Sequence, residues 1–260
     1  DACGSCHDNI NWEVAGEGHV AVGVGGQFHG SVAQLQLTGG EALRDGLYAV
    51  GLDLRADLVA GLVDDHHARS LAEQSGARWI PVVADVLRKI ADTDNPRGPV
   101  AIVRIPEPVA VDTDRIWLDT SDPGNAGTLI RTAAAFGFGV IMDPAAVDPW
   151  SPKVVRAAAG GHFRTPLASG PPGDAFTVAS VVEGGTQITD IAGRLPDDRA
   201  ICLLVGNEAH GLSDELVASA DLTVTIPMVG EIESLNAAVA GAICMYELML
   251  ARRDLPRHRH

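Results

Sequence analysis

The sequence has little positive charge. Its 260 residues include 34 acidic but only 19 basic side chains, a net charge of −15, and lysine occurs only at Lys89 and Lys153. Proteins that bind nucleic acid broadly carry a basic surface, so the overall balance argues against that class. A local cluster of cations is still compatible with it. Lys153, Arg156 and Arg164 share one short segment and are the candidates for such a cluster.

Long apolar runs are also missing. The longest, Ala237 to Tyr246, is far shorter than the ~18 residues that identify a membrane-spanning helix, so no membrane span is expected. The first residues lack the basic and then apolar layout of a signal peptide. With 46% hydrophobic and 20% charged residues, the composition is that of a globular protein of one or two domains. These features favour a cytoplasmic protein.

Cysteine is scarce, with four in the chain. Cys202 and Cys244 lie in apolar runs, which predicts reduced core residues. Cys3, Cys6 and His7 match the C-x-x-C-H pattern of haem attachment. That chemistry needs export and a distant axial ligand in a small helical domain, which an α/β chain of this kind does not offer. We expect a disordered tail or an adventitious metal site here, and no functional metal.

Strand and helix patterns alternate between about residues 31 and 105, which predicts a small α/β domain. Residues 1–30 are poorly defined; their GVGG stretch lacks the spacing of a dinucleotide-binding loop. The predicted elements are a helix over Glu41–Leu47, a strand over Asp57–Asp64, a helix over His66–Gln74 ended by Gly76, a strand over Trp79–Val83, a helix over Ala84–Ile90 and a strand over Pro99–Ile105.

A second domain is predicted over residues 113–254, after a proline-containing linker at 106–112 and before a tail at 255–260. Its pattern also alternates, whereas residues 170–198 look irregular, with only weak signals. The predicted elements are strands over Arg115–Asp119 and Gly139–Met142, helices over Ala126–Phe136 and Lys153–Ala158, an apolar strand from Ile201, and a long helix from near Ser234.

Polar residues follow the first strand of this second domain. Residues 122–125, Asp-Pro-Gly-Asn, have turn chemistry, and Arg131 lies on the helix that comes next. Open α/β sheets bind ligands at the carboxyl ends of their strands, where these groups are expected. Residues 206–212 and 226–236 are similar polar loops after apolar segments. Three such loops predict one shared site.

The stretches NAGTLIRTA, LLVGNEAHGLS and IPMVGEIESLNAAVA resemble, in this order, the three motifs of the SpoU/TrmH family of RNA ribose 2′-O-methyltransferases. Three spaced motifs are far more specific than one glycine-rich loop. The resemblance covers roughly the last 145 residues. It implies a SPOUT domain with a parallel sheet and a deep trefoil knot, a small ribosomal-protein-like RNA-binding domain before it, and a homodimer that pairs through the C-terminal helix.

The resemblance also implies methyl transfer from S-adenosylmethionine to RNA, most directly rRNA or else tRNA. We expect Arg131 to bind phosphate and stabilise the developing alkoxide, because a guanidinium is a poor base, and Glu208 competes for the role of general base. By resemblance the catalytic residues are Asn125, Arg131, Glu208, Ser234 and Asn236, the cofactor-binding residues are Val205, Gly206, Ile226, Met228 and Leu235, and the RNA contacts are Lys153, Arg156 and Arg164.

Other interpretations stay open at this stage. Ser234 is also a suitable helix N-cap, and Asn125 a turn residue. The chain could be a catalytically inactive RNA-binding protein of the same fold, or an enzyme that protects its own ribosome from an antibiotic. A dinucleotide-dependent enzyme is disfavoured, because no G-x-G-x-x-G motif with a later acidic residue occurs. In the first domain, Arg88, Lys89 and Arg97 are candidate RNA contacts.

Overall fold

A computed structural model describes residues 32–36, 56–62, 64–90, 99–106, 108–230 and 233–253. The chain divides into two compact units, Asp1–Pro106 and Glu107–His260. Several predictions lie outside the described residues: those on residues 1–30 with Cys3, Cys6 and His7, on the helix over Glu41–Leu47, on Arg97, and on the tail at 255–260.

The first unit contains a sheet in the order β1-β4-β2-β3 among its described residues. Strand β4 pairs antiparallel with β1 and β2, whereas β2 and β3 are parallel and joined through helix α1. The elements are β1 (Val32–Gln36), β2 (Ala56–Leu62), α1 (His66–Ser75), β3 (Arg78–Val82), α2 (Ala84–Ile90) and β4 (Val100–Arg104).

Local signals explain helix α1. The Asp65 carboxylate accepts the Ala68 N–H at 2.9 Å, which satisfies one of the free amides of the first turn. Gly76 adopts a left-handed conformation (φ 79°) and ends the helix, which confirms the predicted helix end. On α2, Arg88 forms an ion pair with Asp85, so this predicted RNA contact already has a local partner.

The second unit alternates strands and helices along the chain. Its elements are β5 (Arg115–Leu118), α3 (Pro123–Phe136), β6 (Gly139–Met142), α4 (Pro152–Ala158), β7 (Leu167–Ser169), β8 (Phe176–Ser180), β9 (Thr186–Gln187), β10 (Ile201–Val205), α5 (Asp214–Ser219), β11 (Leu222–Thr225) and α6 (Ala237–Arg253). Two 3-10 turns, Gly161–Phe163 and Ile188–Asp190, connect them.

These strands form a seven-stranded sheet in the order β7-β6-β5-β10-β8-β11-β9, in which every pair is parallel. The predicted parallel α/β domain is thereby confirmed. Strand β10 lies between β5 and β8, with Leu203 opposite both Ile116 and Val178. All residues of β5 and β10 are buried, as expected for a sheet that is covered on both faces. The trefoil knot stays a prediction.

The two faces of the sheet bury different groups of side chains. Alternate residues such as Ile116 and Leu203 pack with α3, α4 and α6 in the larger cluster, because successive residues of a strand point to opposite faces. Trp117, Leu204 and Cys202 pack on the other face. Cys202 and Cys244 are both buried free thiols, as predicted, and burial raises the pKa of each to about 11.

The irregular segment predicted at 170–198 contains an internal strand of the sheet instead, and that prediction is wrong. Strand β8 has five residues and pairs with both β10 and β11. Its sequence, FTVAS, lies between stretches rich in glycine and proline, which masked a short strand. Its burial depends on neighbours that come later in the chain.

Two helix starts also differ from expectation. Helix α3 begins at Pro123 rather than Ala126, because the Asp122 carboxylate caps it by accepting the Asn125 N–H at 2.7 Å. Asn125 is therefore a first-turn helical residue, not a turn residue. Helix α6 begins at Ala237, and the Asn236 side chain accepts the Ala238 and Val239 N–H groups at 2.9 and 3.2 Å. Asn236 is the N-cap, so the capping role considered for Ser234 is wrong.

In the described part of the chain, no helix has the length and apolar character needed to cross a membrane.

Close packing of α3 on α4 generates a stability prediction. A Cβ at Gly127 would lie 2.6 Å from the Val154 carbonyl oxygen and 2.9 Å from the Ala158 nitrogen, which are backbone atoms that cannot rotate away. Gly127→Ala should therefore lower the free energy of unfolding by about 1–3 kcal/mol, although alanine normally stabilises a helix interior. Chemical denaturation measures this change in the free energy of unfolding. Thr128→Ala, at an exposed position one residue later, should change little; equal stability of both variants would contradict the packing.

Candidate active site

The carboxyl ends of β5, β8, β10 and β11 meet at one edge of the parallel sheet. The segments that follow them, at 119–122, 181–182, 206–211, 226–230 and 233–236, bring their side chains together there. This is the edge at which α/β sheets bind ligands. All three loops that the sequence predicts to share a site lie at this edge.

A chain of side-chain hydrogen bonds joins three of these segments. Asn125 Nδ2 donates to Glu208 Oε1 at 2.8 Å, and the Thr120 hydroxyl donates to the same oxygen. Asn236 Nδ2 donates to Asn125 Oδ1 at 3.0 Å. We call Thr120, Asn125, Glu208 and Asn236 the polar network. Three of the five predicted catalytic residues thus contact one another directly or through a shared partner.

The backbone fixes the members of the network. Thr120 is 1% exposed and Asn125 is 9% exposed, and Asn125 is held in the first turn of α3 by the Asp122 cap. Asn236 uses its carbonyl oxygen as a helix cap and its amide nitrogen for Asn125. Any other rotamer of Thr120, Asn125 or Asn236 would break one of these hydrogen bonds, so the geometry of the network is pre-organised.

The electrostatics of Glu208 follow from these contacts. Burial by itself would raise the pKa of this carboxyl, but hydrogen bonds from Asn125, Thr120 and backbone N–H groups outweigh burial and lower the pKa below its ordinary value. Glu208 is therefore a carboxylate near neutral pH and a weak proton acceptor. Its neighbour Asp119 shows the opposite effect: burial, together with the charges of Asp143 and Glu208, raises the pKa of Asp119.

An open pocket of about 590 Å³, including the space at its mouth, lies beside the polar network. Asn236 borders it, since Leu235 and Ala237 are both in the wall. All five residues predicted to bind the cofactor line this pocket, and so does Ser234; the lining is Ser180, Val181, Val182, Val205, Gly206, Gly211, Ile226, Met228, Ser234, Leu235, Ala237 and Ala240.

The structure gives a reason for glycine at position 206 other than close approach of the backbone to a ligand. A Cβ on this residue would lie 2.3 Å from the backbone of Gly211 and Leu212. The loop between them closes tightly, with reciprocal backbone hydrogen bonds between Asn207 and Gly211 at 3.2 and 2.8 Å. Gly206 thus lets the loop that carries Glu208 turn back on itself, which the sequence interpretation missed.

Arg131 is not part of the polar network. It is exposed on α3, six residues beyond Asn125, and forms no hydrogen bond or ion pair with the described residues. Its backbone lies against the turn after α4, where a Cβ at Gly161 would come within 3.0 Å of Arg131 Cα. Of the predicted RNA contacts, Lys153 and Arg156 lie on α4, which packs against α3, and Arg164 directly follows the turn.

Two further residues belong to the site but were not predicted. Thr120 is hidden in sequence because a threonine at a strand end is common, and only the contact with Glu208 gives it a role. Ser180 lies at the end of β8, the strand that the sequence did not reveal, and its hydroxyl lines the pocket 3.9 Å from Cys244 Sγ. A correct prediction of β8 from the sequence would have indicated Ser180 as a residue of the site.

Comparison with known proteins extends this picture. Residues 115–246 match the model of the SpoU rRNA Methylase family. The 23S rRNA (guanosine(2553)-2′-O)-methyltransferase RlmP of Bacillus subtilis is 32% identical over 183 residues, which cover 67% of this chain and 74% of that protein. A 23S rRNA (uridine(2479)-2′-O)-methyltransferase of Streptomyces viridochromogenes is 33% identical over 208 residues, 71% of each chain.

Solved structures agree with the sequence comparisons. The SpoU methyltransferase AviRb from Streptomyces viridochromogenes, in complex with the cofactor AdoMet (S-adenosylmethionine), superposes with a TM-score of 0.70 at 26% identity and covers 85% of this chain and 91% of its own. An AdoMet-bound rRNA methyltransferase from Sinorhizobium meliloti gives 0.70 at 27% identity, with 86% and 88% covered. The chain belongs to the SpoU rRNA methylase family.

Proposed function

We propose that this protein transfers a methyl group from AdoMet to a ribose 2′-hydroxyl of rRNA. The observation that carries the proposal is the pocket, lined by all five predicted cofactor-binding residues and bordered by the polar network. Relatives named as 23S rRNA 2′-O-methyltransferases and neighbours crystallised with AdoMet support it. The inactive alternative is not favoured, because the polar groups that the chemistry needs are all present.

The pocket residues fit AdoMet. Ile226 and Leu235 provide apolar surface for the adenosine part, and Ser180 and Ser234 provide hydroxyl groups for its polar atoms. The bound cofactor supplies an electrophilic methyl group on sulfonium. The task of the chain is to exclude water and to hold the ribose hydroxyl in line with that methyl group.

We assign the polar network to positioning. Each of the Asn125 and Asn236 amides uses one N–H within the network and keeps a second N–H for a ribose oxygen. Glu208 holds Asn125 in place. Its lowered pKa and its two side-chain donors make it a poor general base, so we favour a positioning role over the catalytic base considered from sequence.

We assign Arg131 to binding the negative charge of the substrate. A guanidinium does not give up its proton near neutral pH, whereas an exposed guanidinium without a protein partner is suited to a phosphate or a developing alkoxide. Lys153, Arg156 and Arg164 lie on or directly after α4, which packs against α3. They add basic residues to this part of a chain whose net charge is −15.

A homodimer and a cytoplasmic location are part of the proposal. On α6, Val239 and Tyr246 are 49% and 45% exposed and lie on one helical face, which is the kind of surface that a second copy would cover. The cytoplasm is proposed because the relatives from Bacillus subtilis and Streptomyces viridochromogenes are named as 23S rRNA methyltransferases, and bacterial rRNA is found there. We also infer that residues 31–105 help to select the RNA, and that the second domain carries the trefoil knot.

The first test is calorimetric titration with AdoMet. The wild-type protein should bind it, and Leu235→Asp should weaken binding at least about tenfold, because a carboxylate would lose hydration in an apolar wall. Val229→Asp is the matched control: this side chain is fully exposed on the same segment and does not line the pocket. An unchanged Leu235→Asp affinity would remove Leu235 from the cofactor site, and a wild-type protein that does not bind AdoMet would contradict the proposal.

Arg131→Ala separates chemistry from cofactor binding. Removing the cation that stabilises the alkoxide should lower methyl transfer to rRNA by a factor of about 10² or more, while AdoMet affinity stays unchanged because Arg131 does not line the pocket. Tritium-methyl incorporation into rRNA, with nuclease analysis of the 2′-O-methylated nucleotide, measures the first effect. Arg194→Ala, at another exposed arginine, should retain activity. Loss of AdoMet binding in Arg131→Ala would refute the assigned role.

The polar network predicts a stability change at acid pH. The pKa of Glu208 is lower in the folded protein than its ordinary value of 4.5, so the carboxylate contributes stability above that value and loses it as pH falls through the folded pKa. Glu208→Gln should therefore flatten the acid limb of the melting temperature measured against pH. Glu183→Gln, at an exposed glutamate outside the polar network, should keep it. Identical acid limbs in wild type and Glu208→Gln would exclude the network as the cause.

A further inference from the structure

Trp150 lies in the segment that leads into α4, next to the cations of the second unit. Aromatic residues make up only 4% of the chain, and four of them are tryptophans. Unlike Trp117, which is 3% exposed in the core, Trp150 is only partly buried. Nothing in the proposed methyl transfer uses this ring.

Two aromatic residues pack against the indole ring of Trp150. His162 packs against it with ring centroids 4.8 Å apart, and Phe163 lies 6.5 Å away. His162 is 1% exposed, and its Nε2 is 2.7 Å from the Pro149 carbonyl oxygen. Burial lowers the pKa of His162 to about 4, which outweighs the opposite effects of Pro149 and Asp148. A neutral imidazole therefore supports the indole throughout the neutral pH range.

The main chain is also ordered at this point. The Trp150 N–H donates to Asp148 Oδ1 at 2.9 Å, and the Ser151 N–H donates to the Asp148 carbonyl at 3.1 Å. A ring that is already held in place loses little conformational entropy when a ligand stacks on it. The arrangement is thus suited to binding a flat partner.

Two exposed cations belong to the elements that adjoin the ring. Lys153, in the first turn of α4, is three residues after Trp150 and forms no hydrogen bond or ion pair with the described residues. Gly161, the residue before His162, packs against the backbone of Arg131. The exposed Asp148 carboxylate is also at this turn and accepts the Trp150 N–H.

From this placement we infer that Trp150 is a stacking platform for an unpaired base of the RNA substrate, with Lys153 and Arg131 contacting the flanking phosphates. This inference rests on the proposed function. Proteins recognise single-stranded RNA by stacking splayed bases on aromatic rings, because every base has a π face. A base on Trp150 would hold the strand beside the part of α3 that contains Arg131, six residues along the helix from Asn125.

The experiment compares Trp150→Phe, Trp150→Leu and Trp150→Ala in the full chain. Fluorescence anisotropy, without AdoMet, measures binding of a labelled RNA hairpin with an unpaired adenine-rich loop and of the same stem as a continuous duplex. Loss of stacking should weaken hairpin binding about fivefold to 100-fold in the Leu and Ala variants, with most affinity kept in Phe. Duplex binding should be equal in all four proteins.

Several results would overturn the inference. These are equal hairpin affinity in all variants, equal weakening of hairpin and duplex, or a Phe variant as weak as the Ala variant. As a direct readout, hairpin binding should quench the tryptophan fluorescence of the wild-type protein, and Trp150→Phe should lose that quenching. Melting curves identify any variant that fails to fold, and the Leu variant, which keeps apolar bulk, separates stacking from packing.

The design also separates this inference from the proposed function. AdoMet titration of the same proteins should give one common affinity, because Trp150 does not line the pocket. Hairpin binding that depends on Trp150, without any binding of AdoMet, would contradict only the methyltransferase proposal. Binding of AdoMet, with hairpin affinity unchanged by the Trp150 substitutions, would contradict only the stacking platform.

Discussion

The single oxygen Glu208 Oε1 accepts hydrogen bonds from Thr120 at the end of β5 and from Asn125 at the start of α3. Thr120 and Asn125 are buried, whereas Glu208 is exposed. The two buried donors would be costly to leave without an acceptor, so they hold the carboxylate in place. Asn236 joins through Asn125 and at the same time starts α6. The position of α6, and with it one wall of the pocket, therefore depends on the geometry around one carboxylate.

The sequence was sufficient for the parts of the protein that are determined locally. The start and end of α1 follow from Asp65 and Gly76, and the apolar strand β10 follows from composition. The five residues that the sequence predicts to bind the cofactor all line one pocket. Strand β8 was missed because its burial depends on β10 and β11, which come later in the chain. Non-local pairing of this kind leaves no periodic signal in a five-residue segment.

The errors at the site have a similar origin. Residues 122–125 suit a turn and a helix start equally well, and only the position of the sheet decides between them. Ser234 and Asn236 are both good caps, yet the contact with Asn125 selects Asn236. Thr120 could not be identified without knowing that the loop carrying Glu208 turns back at Gly206. Residue types were predictable, whereas partners that depend on the return of β10 to the middle of the sheet were not.

The position of β10 in the middle of the sheet, next to strands that precede it in the chain, has a consequence for the order of folding. The hydrogen bonds of the polar network connect residues that are 83, 88 and 111 positions apart in the chain. Contacts over such distances form slowly, because large loops must close before they bring any gain. During synthesis, β5 and α3 leave the ribosome long before Asn236 can reach Asn125. A nascent chain therefore carries Thr120 and Asn125 before their partners Glu208 and Asn236 have been made, and the polar network can be completed only after the start of α6 has been synthesised.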